Sequence, residues 1–325
     1  MRKKVKTGVC KAAQLRDGSR HPFGMLGGVT ALGGGELEVY QQIRNAVPIL
    51  DAAIGKLVRL TGGFTVSCGN RKAERELERF LKTVNAGRGQ VGLESFLAAF
   101  LQSMLVYGRA VGEMVVGGNE ITAVLWGDVT KLYVQEGTSA MEFAFGQWQA
   151  GEVKIFPRQN LILFAAWNPD EENPYGASVF RSMPFLVDVL LKIYSTIGTN
   201  WERAGNVRYS VVYKPQDEAG RIDAQERSEQ IASQWSQAMQ ESRHGVVRDF
   251  VAVGDVEIKV IGADGQILDS EVPVRQILEQ LVAKTGLPPF LLGLNWASTE
   301  RMSAQQTDLL TSELWAIRRT VEPVL

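Results

Sequence analysis

Asp269–Leu325 reads DSEVPVRQILEQLVAKTGLPPFLLGLNWASTERMSAQQTDLLTSELWAIRRTVEPVL, two helical patterns with a stiff apolar break between them. In the first, Val274, Ile277, Leu278, Leu281 and Val282 recur at the spacing of one helix face, behind Ser270 as the expected N-cap. Gly286 ends the pattern, and Pro288 and Pro289 forbid its continuation because neither has an N–H to donate. Phe290–Gly293 is apolar but too short to count as an element, and Leu294–Ser298, which includes Trp296, is a small bridge. Thr299 is the expected cap of a second long helix, with Glu300 in its first turn, where negative charge suits the helix dipole. Leu310, Leu314, Ile317 and Val321 form its apolar stripe.

Just upstream the texture is different. Val207–Tyr213 predicts a strand and Pro215–Gly220 a loop. Asp223 is the expected cap of a helix over Ala224–Glu241, with Glu226 completing a capping box and Ile231, Trp235 and Met239 on its apolar face. Val246–Val253 and Val256–Ile261 predict a hairpin over Gly254–Asp255. Before this α+β module a long helix runs from Ser182 and Pro184 to about Ala204. Its first half is apolar nearly all round, with Phe185, Leu186, Val187, Val189, Leu190, Leu191, Ile193 and Tyr194. Such a helix is expected to be buried on every side, within one domain or between neighbouring subunits.

Further out, residues 1–35 are glycine-rich and read as a flexible arm. Gly28 and Gly33 have phosphate-loop spacing, but Gly34 and Gly35 stand where Lys and Ser/Thr are needed. Helical pattern begins near Glu36 with Tyr40, Ile43 and Val47, and Pro48 is expected to kink it or start a second helix carrying Ile49, Ala53, Leu57 and Leu60. Gly62–Gly63 stops it, and Phe64–Cys68 predicts a short strand. Residues 71–84 predict an amphipathic helix burying Leu77, Phe80, Leu81 and Val84. Leu93–Tyr107 predicts another, with Leu93, Leu97, Phe100, Leu101 and Met104 inward and Gly108 as its cap. Strands follow at Val111–Val116, Ile121–Trp126, Lys131–Gln135, Met141–Trp148, Glu152–Phe156 and Asn160–Ala165, the first two joined by a hairpin turn over Gly117–Glu120. No helices separate them, so the sheet is expected to be antiparallel. Asn173–Ser178 is a turn.

Composition narrows the function. A chain of 325 residues that is 45% hydrophobic can hold more than one core. A net charge of −1 argues against gripping nucleic acid by phosphate neutralisation, which needs a basic surface, but not against letting DNA slide past. Cys10 and Cys68 read as free thiols of a reducing compartment. No apolar run approaches the roughly 20 residues of a membrane span, and MRKKVK lacks the apolar core of a signal peptide. His21 and His244 are too few for a zinc centre without cysteine help. Asp170, Glu171 and Glu172 form an acidic cluster on a turn, the one place where a metal or an acid–base pair could be sought. Ser178 lacks the Gly-x-Ser-x-Gly context of a nucleophile elbow. No catalytic residue, metal site or cofactor is expected.

The order of these elements resembles the core of tailed double-stranded DNA bacteriophage portal proteins. In that family a stem helix ends in a G-(L/V)-P-P-x-L-L-G segment, matched here by Gly286, Leu287, Pro288, Pro289, Leu291, Leu292 and Gly293. Asn173–Ser178 resembles the family's x-x-G-x-S segment, and LVYGRAVGEMV at 105–115 its helix-to-strand junction. The resemblance implies an α+β portal fold: arm 1–35, β-rich wing 36–180, descending stem helix 181–205, small α+β clip 206–268, ascending stem helix 269–286, tunnel loop 287–299 and spine helix 300–325. The family continues into a crown, which is expected to be absent or truncated here. It implies a dodecameric ring in the capsid of a virion, assembled in the bacterial cytoplasm, with genomic DNA passing non-specifically through it. Asn295, Trp296, Ala297, Ser298 and Thr299 would line the tunnel. Arg208, Lys214, Arg221, Arg243 and His244 would mark the clip surface that meets the terminase large subunit and then the head–tail adaptor. Major capsid and scaffolding proteins are the other implied partners. The competing reading is an α+β hydrolase or transferase using the acidic cluster around Asp170.

Overall fold

The computed structural model describes residues 35–118, 120–136, 142–149, 151–171, 173–205, 208–213, 229–230, 232–233, 236, 256–261, 269–294 and 300–325. They belong to two units, one of Gly28–Ile193 with Ser270–Leu325 and one containing Tyr194–Asp269.

The first unit opens with helices α1 (Glu36–Ala46) and α2 (Pro48–Thr61). Val47 between them is extended and Pro48 begins α2, so the proline starts a second helix. That is where proline costs least, since the first N–H of a helix has no partner anyway. Helices α3 (Arg71–Thr83) and α4 (Leu93–Tyr107) flank the short strands β1 (Asn85–Gly87) and β2 (Gln90–Val91). Then come β3 (Arg109–Gly117), β4 (Glu120–Trp126), β5 (Leu132–Glu136), β6 (Phe143–Gln149), β7 (Glu152–Ile155) and β8 (Ile162–Ala166). Helix α5 (Pro184–Gly205) starts in this unit, and α6 (Glu271–Thr285) and α7 (Glu300–Val321) return to it.

The strands form two sheets. One has the order β2-β1-β4-β3-β8 and the other β5-β6-β7. Pairing is antiparallel except for a single parallel rung between Asn85 of β1 and Ala123 of β4. Gly117 faces Glu120 across the expected hairpin. An aromatic cluster of Phe143, Phe145, Phe164 and Tyr175 joins β6 to β8 and the turn beyond it. Helix α4 is the core: Phe96, Phe100, Leu101, Met104 and Leu105 are fully buried, more than the single inward face that was expected. Helix α2 packs on α1, α4, α6 and α7 through Leu50, Ala53, Ile54 and Leu57.

In the second unit, β9 (Arg208–Tyr213) pairs antiparallel with β10 (Val256–Ile261) through six residues on each side. The sequence suggested 246–253 as the partner of β10; that segment, and most of the expected helix 224–241, lie outside the described residues.

Four local expectations are corrected. Phe64–Cys68 is not a strand: the segment is largely exposed and pairs with none of the described strands. Leu77, Phe80 and Leu81 of α3 are only half-buried, whereas Val84 is buried. Ser270 precedes α6, but its backbone (φ −102°, ψ 0°) is not extended and its side chain makes no capping bond. Phe290–Gly293 was expected to be too short for an element, yet Pro289–Leu292 closes into one turn of 3-10 helix.

Candidate functional site

The break after α6 is built as the residues dictate. Gly286 adopts the left-handed conformation (φ 72°) that ends the helix, and its N–H donates to Ala283 O at 3.2 Å. Buried Thr285 donates its hydroxyl to Val282 O at 2.7 Å and accepts from Leu287 N at 3.3 Å, tying the exit of the chain to the last turn. Pro288 is extended and Pro289 opens the 3-10 turn, which stops at Gly293 with φ 77°. Leu294 N then donates to Pro289 O at 3.1 Å. The bridge residues Asn295, Trp296, Ala297, Ser298 and Thr299 lie outside the described residues. Of the expected clip residues, Arg208 stands on β9 opposite Ile261, while Lys214, Arg221, Arg243 and His244 lie outside them.

Helix α7 is anchored by Leu310, Ile317 and Val321, all buried, with Leu314 half-buried. Sequence reasoning missed Arg318. Its Nε donates to Thr61 O at 2.8 Å, and its guanidinium lies 5.6 Å from the centre of the Trp315 ring. A cation thus meets the negative end of α2 and satisfies a carbonyl that the helix leaves unpaired. The Gly62–Gly63 stop next to it was the available signal.

A second element was legible only as two separate motifs. Gly108 (φ 80°) and Gly176 (φ 96°) bring their backbones into contact. A Cβ on Gly176 would lie 2.0 Å from Gly108 O, and one on Gly108 would lie 2.6 Å from the backbone of Ala177 and Ser178. Trp167 N donates to Gly108 O, Ala177 N to Trp167 O, and Val179 N to Leu105 O, at 2.7, 2.7 and 3.0 Å. Buried Ser178 donates to Val106 O at 2.5 Å and accepts from Phe180 N at 2.9 Å. The junction 105–115 and the turn 173–178 are therefore one structure, which launches α5. Nearby, Tyr40 donates to Glu36 at 2.5 Å; burial first, then that carboxylate, pushes the phenol up. Burial pushes the half-buried Arg109 guanidinium down.

The acidic cluster offers little chemistry. Asp170 pairs with Arg181 at 3.0 Å and accepts from Asn173 N at 2.6 Å, so it braces the turn. Glu172 lies outside the described residues, and among those described no group of His, Cys, Asp or Glu could hold a metal ion. Cys68 is a free, exposed thiol. Among the described residues no helix is long and apolar enough to cross a membrane.

Beside this turn lies a cleft of about 320 Å³. Leu57, Leu105, Val179 and Ile317 are among its lining residues, with Asp170, Arg181, Lys284 and Glu313 also around it. Within one chain helix α5 is not buried on every side, which counts against the expected burial inside one domain. Val187, Leu190 and Leu191 are buried, Leu186, Val189 and Ile193 are half-buried, and Phe185 is 74% exposed.

No family model and no curated protein matches the sequence. Solved structures do. A chain in the virion of a native gene transfer agent particle aligns at TM-score 0.65 and 16% identity, over 90% of this chain and 78% of that one. A chain in the neck of the native particle, computed with C12 symmetry, aligns at TM-score 0.62 and 16% identity, over 86% and 74%. An HK97-family phage portal protein from Corynebacterium diphtheriae aligns at TM-score 0.46 and 10% identity over 82% of each chain, too distant to carry an argument. The chain has the fold of the particle chains, a mixed α+β fold, and the resemblance read from its sequence is borne out at the level of fold.

Proposed function

We propose that this chain is the subunit of a portal, a ring at one capsid vertex through which a phage-like particle takes in and releases double-stranded DNA. The fold match across 90% of the chain to a chain of an assembled particle carries the reading. The element order supports it: a long helix, a strand-bearing unit, a second long helix, a proline break and a spine. In this reading the ring is a dodecamer in the virion, assembled in the host cytoplasm. The role is structural, and the motor that drives DNA is the separate terminase.

Within that ring, Asn295–Thr299 face the tunnel, because the chain must cross from stem to spine there. The residues of that crossing other than Trp296 are small or polar, which suits a surface that touches moving DNA without holding it. Arg208, Lys214, Arg221, Arg243 and His244 belong to the clip, which meets the terminase large subunit and then the head–tail adaptor. Capsid and scaffolding proteins meet the outer surface. DNA binding by the isolated protein is weak and sequence-indifferent, since the net charge of −1 supplies no excess of cations.

Light scattering and negative-stain imaging of the concentrated protein test the reading. Rings with a central hole are the expected result. A monomer at every concentration, for this chain and for a longer version of it, overturns it.

A further inference from the structure

The cleft of about 320 Å³ beside the Gly108–Gly176 crossing has an apolar floor and polar walls. The floor includes Leu57, Leu105 and Ile317, all buried. The walls carry the Asp170–Arg181 pair and the exposed Lys284 and Glu313, so their charges cancel. The chain enters the unit beside this cleft. Helix α1 begins at Glu36, whose carboxylate accepts from the Tyr40 hydroxyl at 2.5 Å. The Tyr40 ring lies 6.4 Å from that of Phe180, the chain neighbour of Arg181. Asp170 first, and then Tyr40 and Glu36, push the Arg181 guanidinium up, so the start of α1 and the cleft wall share one electrostatic neighbourhood. Residues 28–34 belong to the same unit as the cleft. They read GVTALGG, uncharged, with one leucine and with glycine at both ends.

We infer that residues 29–34 lie extended along this cleft of their own chain, with Leu32 on the floor of Leu57, Leu105 and Ile317 and Thr30 against the polar wall. The inference is independent of the ring reading, because it concerns how one chain closes its own first unit. Leu32 stands four positions before Glu36, and four extended residues span about 13–14 Å. That is enough to pass the Tyr40–Phe180 contact, 6.4 Å between ring centres, and reach the cleft. A cavity of about 150 Å³ holds a benzene ring, so this one takes a leucine and a threonine side chain together. In an extended segment residues two apart share a face, which puts the Leu32 methyls and the Thr30 hydroxyl on one side, as a half-polar cleft requires. Lys284 offers donors and Glu313 acceptors to the peptide groups of the segment. Tethering favours this occupant over a free one, because a segment on a short linker meets its site at an effective concentration on the order of millimolar.

Hydrogen exchange and cross-linking of the full chain test this. In the unaltered chain the amides of residues 29–34 are expected to exchange at least about tenfold more slowly than in a free peptide of the same sequence. In a chain carrying Cys10→Ser and Cys68→Ser, the pair Thr30→Cys and Lys284→Cys is treated with a short bis-maleimide. The reagent is expected to join positions 30 and 284 within one chain, and an equal mixture of isotope-labelled and unlabelled protein separates such links from links between chains. Adding Leu32→Asp is expected to lower the yield of the link about tenfold and to release the exchange protection, because the buried leucine is lost, while circular dichroism stays unchanged. Exchange at the free-peptide rate in the unaltered chain overturns the seating. A link that forms equally well with Leu32→Asp overturns it, since it reports reach alone. Links found only between chains overturn it by placing the segment on a neighbouring copy, and protection without any link does so by placing it elsewhere on the chain. None of these outcomes bears on ring formation, which imaging reads separately.

Discussion

Ser178 is 5% exposed and Phe185, seven positions later, is 74% exposed: the hydroxyl is inside and the aromatic ring outside. The inversion has a physical reason at each end. The hydroxyl is buried at little cost because the Gly108–Gly176 crossing supplies both its partners, Val106 O and Phe180 N. The ring is outside because Val187, Leu190 and Leu191 take the inward side of α5, and none of the described residues covers the other side. The junction is finished by the chain alone. The outer face of α5 at Phe185 is left open by the described residues.

Substitutions at the two ends should therefore separate folding from assembly. The largest effect on folding is expected for Gly176→Ala. A Cβ there meets Gly108 O at 2.0 Å, and φ is 96°, so clash and backbone strain add. Loss of about 4 kcal/mol or more, or failure to accumulate as soluble protein, is the outcome to read by denaturant unfolding. Ser178→Ala removes one buried group and leaves Val106 O and Phe180 N without their hydroxyl partner. It should cost about 1–3 kcal/mol in the same measurement. Arg318→Ala, which uncaps Thr61 O, should cost about 1 kcal/mol. Hydrogen exchange should speed up at the end of α2 before it does elsewhere, and Arg318→Lys should restore part of the loss. Phe185→Ser should change monomer stability by no more than about 0.5 kcal/mol, because its side chain is already in water. If Phe185→Ser unfolded the monomer as readily as Ser178→Ala, the comparison would fail.

The helices were legible because their apolar residues recur at 3.6-residue spacing and their ends are marked by Pro48, Gly108 and Gly286. The hairpin over Gly117–Glu120 was legible for the same kind of reason, a turn signal between alternating strands. Phe64–Cys68 has strand-like residues yet is no strand, since a strand also needs a neighbour with free backbone groups, which local sequence does not report. Ser270 is a cap residue by type that does not cap, because its backbone conformation withholds the side chain from the helix end.

The proline break shows how far sequence alone reaches. Pro288, Pro289 and the flanking Gly286 and Gly293 determined that the helix must stop and the path must turn, because an absent N–H and a left-handed φ are properties of single residues. What those properties could not determine is which distant segments meet. Gly108 and Gly176 looked like two independent turn glycines, and only folding showed that each is glycine because of the other. Nothing in the sequence singles out Arg318; its role appears only where α7 lies against the end of α2. Local conformation is written residue by residue. Close approach depends on the whole path of the chain between the residues that meet, and the tertiary structure alone decides it.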